Sequence, residues 1–273
     1  MKQVIIVDNG STGMESLWLD KAINGRKTVD LIKNRVNLGM ATALNQGVRK
    51  AINYGYSWIV TFDQDSEPQA NMVQKMLDVW ERYPNRERLM VVGPEISFCN
   101  CSHNFSAVHT YAPWEKIAHV ITSGSLISKE AFESAGYFLD SLFIDYVDIE
   151  YCLRLRNRGY DIIQVRDAIL LHKIGNIEGR FILWKIVHPT HHDPIRRYYQ
   201  FRNAVLLHKM YKKAEHGWCI SNRTILMKIM CLILLYEKHR LRSFLYIIKG
   251  LYHGFSGRAG QRGEIPFLYS DTI

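Results

Sequence analysis

The sequence predicts a doubly wound α/β domain with a mostly parallel sheet, followed by a C-terminal helical region. Continuous apolar runs at 4–7 and 58–62 are rich in β-branched and aromatic residues, which is typical of buried strands. Between them the pattern predicts a helix near 14–24, a strand near 28–33, and a helix from residue 40 whose apolar positions recur every four residues. This alternation of strands and helices favours a parallel sheet covered by helices.

Length and charge divide the chain into two regions. With 273 residues, 47% of them hydrophobic and 22% charged, the chain can bury a large core and does not resemble a disordered protein. Residues 194–273 contain 14 Lys and Arg against 4 Asp and Glu, whereas residues 1–193 contain 21 against 22. We predict an α/β domain at 1–193, with halves at about 1–95 and 96–193, and a basic amphipathic helical region at 194–273. Its positive charge favours nucleic acid or an anionic membrane as partner.

The cysteines and apolar runs suggest a cytoplasmic protein. Five cysteines are an odd number and lack the C-x₂-C spacing of a zinc site, so we expect reduced thiols. No basic N-terminal stretch precedes an apolar core, and the longest uncharged apolar run, at 229–236, is too short to span a bilayer. The expected location is the cytoplasm, with peripheral attachment to the inner face of the cell membrane left open.

Acidic residues follow two of the predicted strands. Asp63-Gln64-Asp65 comes directly after the second apolar run, and Asp8 comes after the first. Open α/β sheets bind their ligands at the C-terminal ends of the strands. The paired carboxylates of Asp63 and Asp65 provide the oxygen ligands that suit Mg²⁺ or Mn²⁺. A solvated turn before a helix at 68–83 would explain the same spacing.

The middle of the chain is less regular. A strand is predicted at 89–92, and the stretch at 95–118 has little periodicity, which suggests a loop or hairpin over a cleft. Gly124 and the preceding Ser123 interrupt a strand predicted at 120–127. A glycine inside a strand indicates a bulge or the close approach of a ligand, and an ordinary kink is equally compatible.

Three carboxylates crowd the start of a later helix. Asp145, Asp148 and Glu150 lie where an apolar run passes into a helical segment that ends at Gly159. Backbone N–H groups and the macrodipole at a helix N-terminus favour negative charge, so capping alone would explain them. The same position holds a carboxylate rigidly enough for proton abstraction, and the two interpretations are compatible.

Histidines give a weaker metal signal. Two strands are predicted, at 161–165 and 168–172, and the second ends at His172. This histidine follows the acidic sites and lies three residues before Gly175. A histidine at a strand end is more often structural than a ligand, so His172 is a candidate for a metal or a supporting role. Another cluster at 188–193 lacks the spacing of a known metal motif.

Taken together, the motifs resemble the inverting glycosyltransferases of family 2, which have the GT-A fold with a Rossmann-like sheet, and among them the bacterial rhamnosyltransferases. The order of the motifs along most of the chain is far more specific than any one of them. The resemblance rests on Val7 to Ser11, Asn37 to Gly39, Asn45 to Gly47, Phe62 to Ser66, Thr122 to Gly124, Phe143 to Glu150, His172 to Gly175, and Arg197 to Asn203.

The resemblance implies roles for individual residues. Asp148 would be the catalytic base, Asp8 would contact the pyrimidine base of the donor, and Asp63 with Asp65 would hold the metal on its diphosphate, with His172 nearby. A divalent ion would stabilise the departing diphosphate while the base activates the acceptor hydroxyl.

Other matching positions receive binding or supporting roles. The nucleotide-sugar site would also include Asn37, Gly39, Asp63, Ser123 and Gly124. Supporting residues would be Asp145, Glu150 and Arg202.

Donor, acceptor and cofactor also follow from the resemblance. It implies Mg²⁺ or Mn²⁺, dTDP-rhamnose as donor, and a lipid-linked saccharide acceptor in cell-surface polysaccharide synthesis, at an anionic membrane surface and without nucleic acid. The basic helices of the last third could lie on an anionic leaflet or simply pack on the core.

Two other classes of protein are compatible with the same residues. A nucleotidyltransferase uses similar metal-binding carboxylates but would be expected to show a Gly-rich phosphate loop. A basic nucleic-acid-binding or membrane-binding protein without catalysis would explain the charge of the tail.

The sequence departs from the family at its start. Members normally begin with an additional strand and helix before the strand that ends in Asp8, and this sequence starts at that second strand. We therefore expect an abbreviated nucleotide pocket, weaker donor binding, and self-association through the strand at 4–7, because an exposed apolar strand edge is prone to pairing.

Overall fold

A computed structural model describes residues 3–98, 112–172, 180–182, 185–187, 193–237, 239–263 and 265–266. The helices are α1 (Met14–Ile23), α2 (Met40–Asn53), α3 (Met72–Arg82), α4 (Lys129–Ala135), α5 (Val147–Asn157), α6 (Pro194–Tyr211), α7 (His216–Tyr236) and α8 (Arg240–Phe255). The strands are β1 (Val4–Asp8), β2 (Val29–Lys33), β3 (Trp58–Val60), β4 (Ser66–Pro68), β5 (Leu89–Phe98), β6 (Trp114–Lys116), β7 (Leu126–Ser128), β8 (Asp161–His172), β9 (Arg180–Ile182), β10 (Lys185–Val187), β11 (Arg258–Ala259) and β12 (Ile265–Pro266).

The predicted α/β class with a sheet between helices is confirmed. The main sheet has the order β3-β7-β5-β8-β4, and β6 also pairs with β8. Strands β5 and β8 are parallel, as are β1 and β2, which form a separate pair. The remaining pairs of the main sheet are antiparallel, so the described sheet is more mixed than the sequence predicted. Strands β4, β6 and β7 have three residues each, too short to show a period of two in the sequence.

Four predicted element boundaries need correction. The strand predicted at 89–92 is longer, because β5 continues to Phe98 into the stretch that was predicted to be irregular. The strands predicted at 161–165 and 168–172 are one strand, β8, whose pairing with β5 shifts register between Pro94 and Glu95. A bulge of this kind leaves a few residues out of alternation, which explains the apparent gap. The strand predicted at 120–127 is only β7, because the segment before it forms a turn. The helix predicted at 68–83 begins later, at Met72, because Ser66–Pro68 pairs with β8.

Two hydrophobic clusters cover the main sheet. Helix α3 packs over one cluster through Met72 and Met76. Helices α2, α4, α5 and α6 contribute to the other, which contains Phe132, Tyr151 and Leu206. Helix α6 therefore shares a core with the α/β elements, while the boundary predicted at 193 stays a prediction.

The C-terminal helices are present as predicted, and one of them is longer and more apolar than its sequence suggested. Helix α7 has 21 residues and a mean hydropathy of 1.5 over its most apolar window. Length and composition alone would let this helix cross a membrane, whereas the sequence expectation considered only the uncharged run at 229–236. Helix α8 packs on α6 through Gly250 and Gly254; a Cβ on Gly250 would lie 2.5 Å from the carbonyl oxygen of Tyr198.

Candidate active site

Two loops meet at the end of β3. The Thr61 N–H donates to the Ser125 carbonyl at 3.1 Å, and the Gly124 N–H donates to the Thr61 carbonyl at 2.7 Å. Two residues after Thr61, the Asp63 N–H donates to Ser123 Oγ at 3.1 Å. The acidic motif that follows β3 is thereby fixed to the turn at 122–125 by backbone and hydroxyl contacts.

The two carboxylates of the acidic motif differ in environment. Asp63 is half-buried, and Asp65 is exposed. Ser123 Oγ also donates to Ser66 Oγ at 2.7 Å, so both ends of the motif are attached to the same serine. This arrangement leaves Asp65 facing solvent, where a bound ion could reach it.

Asp148 is attached to the same turn from the other side. It lies in the first turn of α5, where its Oδ2 accepts from the Thr122 N–H at 3.3 Å and its Oδ1 accepts from the Ile149 N–H at 2.9 Å. Burial raises the pKa of Asp148 to about 6, the backbone N–H of Ile149 opposes the shift, and the charge of Asp145 adds to it. The residue as a whole is half-buried. A carboxylate that titrates near neutral pH, held rigidly and within reach of a substrate, is suited to general-base chemistry.

A strained loop places Asp148. Phe143, Asp145 and Tyr146 have φ values of 66°, 62° and 66°, in the left-handed region that non-glycine residues rarely adopt. Each such residue costs on the order of 1–3 kcal/mol, so the loop needs strong contacts to keep this conformation.

Residues of α6 supply those contacts. Asn203 Nδ2 donates to the carbonyls of Leu142, Ile144 and Asp145 at 3.0, 2.8 and 2.8 Å. Asn203 was not among the predicted site residues, although it ends the motif from Arg197 onward that carried the family resemblance. The buried amide of Asn203 therefore binds three carbonyls of the loop that leads into α5, the helix that bears the predicted base.

Arg202, a predicted supporting residue, holds the same loop. It is fully buried, and its guanidinium donates to the carbonyls of Leu142 and Gly260 and to Asn203 Oδ1. The ring of Tyr199 lies 4.9 Å from the guanidinium carbon. Burial lowers the pKa of Arg202 from its ordinary value, and the carbonyl oxygens satisfy the donors of the buried cation.

The other two predicted supporting residues, Asp145 and Glu150, are carboxylates that lie in different environments. Asp145 Oδ1 accepts from Arg196 Nη2 at 3.1 Å; burial raises the pKa of Asp145, and the Arg196 charge opposes the shift. Glu150 is fully buried in the core, where it accepts from Arg154 and from the hydroxyl of Tyr211, both at 2.8 Å. Glu150 therefore binds α5 and α6 residues inside the core, and its supporting role stays a prediction.

Asp8 lies at the end of β1, as predicted. It is buried, and its Oδ1 accepts from the Ser11 N–H at 2.9 Å. This backbone hydrogen bond is the main reason that the pKa of Asp8 is lowered from its ordinary value, and the Lys33 charge adds to the effect. Asp8 is therefore ionised and fixed at a strand end.

Asn37 and Gly39 make protein contacts that the sequence did not indicate. Asn37 Oδ1 accepts from Asn9 Nδ2 at 3.0 Å and from the Gly39 N–H at 2.9 Å. Gly39 has φ 91°, and a Cβ there would lie 2.8 Å from the Phe143 carbonyl oxygen. The Met40 N–H donates to the same oxygen at 2.7 Å. Gly39 and Met40 thus join the β2–α2 loop to the strained loop, and Asn37 joins it to Asn9 after β1. The roles of Asn37 and Gly39 in donor binding stay predictions.

Gly124 is required by protein packing. It has φ 78° in the turn before β7, and a Cβ there would lie 2.8 Å from Pro94 Cγ and 3.0 Å from Leu170 Cδ2. The interpretation as a bulge inside a strand is wrong, because the turn precedes the strand. The atoms that approach Gly124 closely belong to the side chains of Pro94 and Leu170.

The metal candidates come together only in part. His172 ends β8, where its backbone pairs with Ser66 of the acidic motif; its side chain, like the histidine cluster from 188 to 192, lies outside the described residues. Within the described part of the chain, no group of three His, Cys, Asp or Glu side chains forms a metal cluster. The donors that are present fit Mg²⁺ or Mn²⁺, since such ions commonly take one or two carboxylates and complete their shell with substrate phosphates and water.

The metal assignment gives a first testable expectation. Asp65→Ala removes one of the two carboxylates and should abolish Mn²⁺-dependent binding of dTDP, while Asp63 and the turn at 122–125 keep the loop in place. Calorimetry with and without Mn²⁺ measures the effect, and Asp167→Ala, an exposed acidic residue elsewhere, serves as the control. Equal Mn²⁺-dependent affinity in wild type and Asp65→Ala would show that the motif does not bind the ion.

Comparisons of the sequence with known proteins identify similarity to glycosyltransferases. The sequence model described as Glycosyl transferase family 2 matches residues 2–138. The dTDP-rhamnosyl transferase RfbF of Shigella flexneri is 30% identical over 94% of this chain and 87% of its own length. The low-salt glycan biosynthesis hexosyltransferase Agl10 of Haloferax volcanii is 22% identical over 95% of this chain and 84% of its own length.

Solved structures share the fold. GalNAc-T7, crystallised with UDP, GalNAc and Mn²⁺, has a TM-score of 0.58 at 13% identity, over 82% of this chain and 44% of that chain. The S. aureus TarS fragment 1–349 has a TM-score of 0.52 at 12% identity, over 92% of this chain and 71% of that chain. The chain thus spans less than half of the first structure and most of the second. These similarities confirm the GT-A fold that the sequence motifs implied.

Proposed function

Because this chain belongs to glycosyl transferase family 2, we propose that it is an inverting rhamnosyltransferase that moves rhamnose from dTDP-rhamnose to a saccharide hydroxyl. The enzyme class and the use of a nucleotide-sugar donor follow from the family. The name of the S. flexneri relative, similar over nearly the whole chain, supports the choice of donor. Neither alternative class, a nucleotidyltransferase or a protein without catalysis, has a specific observation in its favour.

One observation carries the proposal. The turn at 122–125 holds Asp63 through Ser123 Oγ and holds Asp148 through the Thr122 N–H. A carboxylate with a pKa raised to about 6 and a carboxylate pair suited to a divalent ion are thereby fixed to one short segment. An enzyme that must deprotonate one substrate beside the diphosphate of another needs this juxtaposition.

The residues suggest how the reaction proceeds. Asp148 accepts the proton of the acceptor hydroxyl as its oxygen attacks the anomeric carbon from the face opposite the diphosphate, and this single displacement inverts the configuration. Family members generally use divalent metal ions. Asp63 and Asp65 would hold Mg²⁺ or Mn²⁺, which stabilises negative charge on a departing diphosphate. Asp8, ionised at the end of β1, would contact the pyrimidine base.

The acceptor that we propose is a lipid-linked saccharide used in the synthesis of cell-surface polysaccharide. The basic C-terminal helices support it, because a lipid-linked substrate places the reaction at an anionic membrane surface. This gives the enzyme a peripheral position on the cytoplasmic face of the cell membrane.

The direct test is donor turnover. Full-length protein with Mn²⁺ is incubated with dTDP-rhamnose and lipid-linked saccharide from rhamnose-containing polysaccharide synthesis, and release of dTDP and the anomeric configuration of the product are measured. We expect dTDP release that requires the acceptor, and an inverted linkage. UDP-linked hexoses are the control donors; turnover with one of them but not with dTDP-rhamnose would show that the donor is wrong while the enzyme class holds.

A further inference from the structure

Helix α8 turns a row of large apolar side chains away from the protein. The row consists of Leu241, Leu245, Ile248, Tyr252 and Phe255, which we call the outer stripe; they are 76%, 68%, 49%, 65% and 68% exposed. Their spacing of four, three, four and three residues places them along one narrow face of the helix. Contiguous exposed apolar surface of this kind marks an interaction site.

The opposite face of α8 already serves the core. A Cβ on Gly254 would lie 2.7 Å from Val205 Cβ and 2.8 Å from the Arg202 carbonyl oxygen, and Ser243 and Ile247 are fully buried. Packing on the core therefore explains the inner face and leaves the outer stripe unexplained.

Helix α7, the neighbour of α8, also exposes apolar side chains. It contacts α8, and its buried side chains, among them Asn222 and Leu226, face the protein. Exposed apolar side chains on its other side are Ile220, Ile225, Met227, Leu234 and Leu235, between 39% and 64% exposed.

The charge of the two helices identifies the partner. Together they carry the basic residues Arg223, Lys228, Arg240, Arg242 and Lys249, and neither helix contains an Asp or Glu. A second copy of the chain would set basic helices against basic helices in an isologous contact, which like charges oppose. An anionic lipid surface complements both the charge and the apolar stripe.

We propose that the outer stripe and the exposed face of α7 insert into the interface of an anionic bilayer, with both helices lying parallel to the membrane. Helix α7 keeps its inner face on the protein, where Asn222 Oδ1 accepts from the hydroxyl of Tyr146 at 2.9 Å. Tyr146 belongs to the strained loop before Asp148, so the membrane-bound helices also contact the loop that positions the base. The inference deepens the proposed function and rests on it for the identity of the acceptor that this position would bring to Asp148.

Co-sedimentation with vesicles tests the proposal without any sugar substrate. The full chain is mixed with vesicles of phosphatidylglycerol and phosphatidylcholine, or of phosphatidylcholine alone. The double variant Leu245→Glu, Ile248→Glu should bind the anionic vesicles at least about tenfold more weakly than wild type, because it loses apolar insertion and adds negative charge. Phosphatidylcholine vesicles should likewise bind wild type at least about tenfold more weakly.

A matched control replaces an exposed apolar residue elsewhere. Trp18 on α1 is 70% exposed, and Trp18→Glu should sediment like wild type. Thermal unfolding of each variant checks that the fold is intact, as expected for exposed positions.

Three results would overturn the proposal. Equal sedimentation of the double variant and wild type would remove the outer stripe from the contact. A wild-type dimer in light scattering that becomes a monomer in the double variant would show that a second copy covers the stripe. Resistance to alkaline carbonate extraction would show that α7 crosses the membrane. Vesicle binding without turnover of dTDP-rhamnose would leave the surface in place and contradict only the proposed function.

Discussion

Asp148→Asn should lower turnover by at least about 10²-fold, the usual effect of losing a general base, while dTDP-rhamnose still binds. Asparagine keeps the shape of the side chain, and its single amide oxygen can still accept from one of the two N–H groups, of Ile149 or Thr122, that Asp148 binds through separate oxygens. It cannot take the proton of the acceptor hydroxyl. Steady-state kinetics with saturating acceptor measure turnover, and calorimetry measures donor binding.

The matched control is Asp145→Asn, three residues earlier in the chain. Asp145 pairs with Arg196 and has no contact with the turn at 122–125 among the described interactions. Its variant should keep more activity than Asp148→Asn. If Asp148→Asn were active and Asp145→Asn inactive, the assignment of Asp148 as the base would be wrong.

The pH dependence of the wild-type enzyme should report the same group. Because burial raises the pKa of Asp148 to about 6, kcat/KM should fall as pH drops through 6 and level off above it. An acidic limb near the ordinary value of 3.8 would indicate a different base.

Folding stability provides an independent readout of the same carboxylate. Its folded-state pKa lies above its unfolded value, so the stability that Asp148 contributes is full below about pH 4 and is lost as pH rises through 6. Asp148→Asn does not carry this cost. At pH 8 the variant should therefore unfold at a temperature no lower than wild type, which separates loss of the base from loss of the fold.

The acidic cluster shows how far a single sequence leads. Asp148 and Glu150 were both predicted at a helix start, and both lie in the first turn of α5. Residues two positions apart on an α-helix are rotated by roughly 200° about its axis. The carboxylates of Asp148 and Glu150 therefore had to face opposite sides of α5. The sequence contained this distinction, since a helix packed on a sheet has one face toward the core. Asp148 faces the turn at 122–125, and Glu150 binds Arg154 in the interior.

Other features depend on contacts between distant segments. Gly124 has a positive φ, and Pro94 and Leu170 leave no room for a Cβ there; neither neighbour could be inferred from the residues beside it. The contact between Asn203 and the Asp145 carbonyl spans 58 residues of sequence. Strand ends and helix starts leave local patterns in the sequence, which is why the carboxylates could be predicted. The hydrogen bonds from Asn203 to the loop before α5, which we call the clamp, leave no such pattern.

Replacing Asn203 with leucine should slow catalysis without changing donor affinity. The side chain keeps its size and loses the amide that binds the Leu142, Ile144 and Asp145 carbonyls. Without that amide, the three positive-φ residues relax toward ordinary conformations and the start of α5 moves. A displacement of the base by a fraction of an ångström to 1 Å lowers kcat by about 10- to 100-fold.

A merely structural role would produce a different set of measurements. Leaving buried carbonyls unpaired costs about 1–3 kcal/mol wherever it occurs, so Asn203→Leu should also lower the unfolding temperature. Tyr83→Phe is the matched variant, because it removes a 2.8 Å buried hydrogen bond to Asp161 in the other hydrophobic cluster. We expect both variants to lose stability and only Asn203→Leu to lose kcat, with its acidic limb moved from about 6 as the surroundings of Asp148 change. If the two variants lose kcat equally, Asn203 acts on the fold alone, and the clamp on the loop has no part in placing the base.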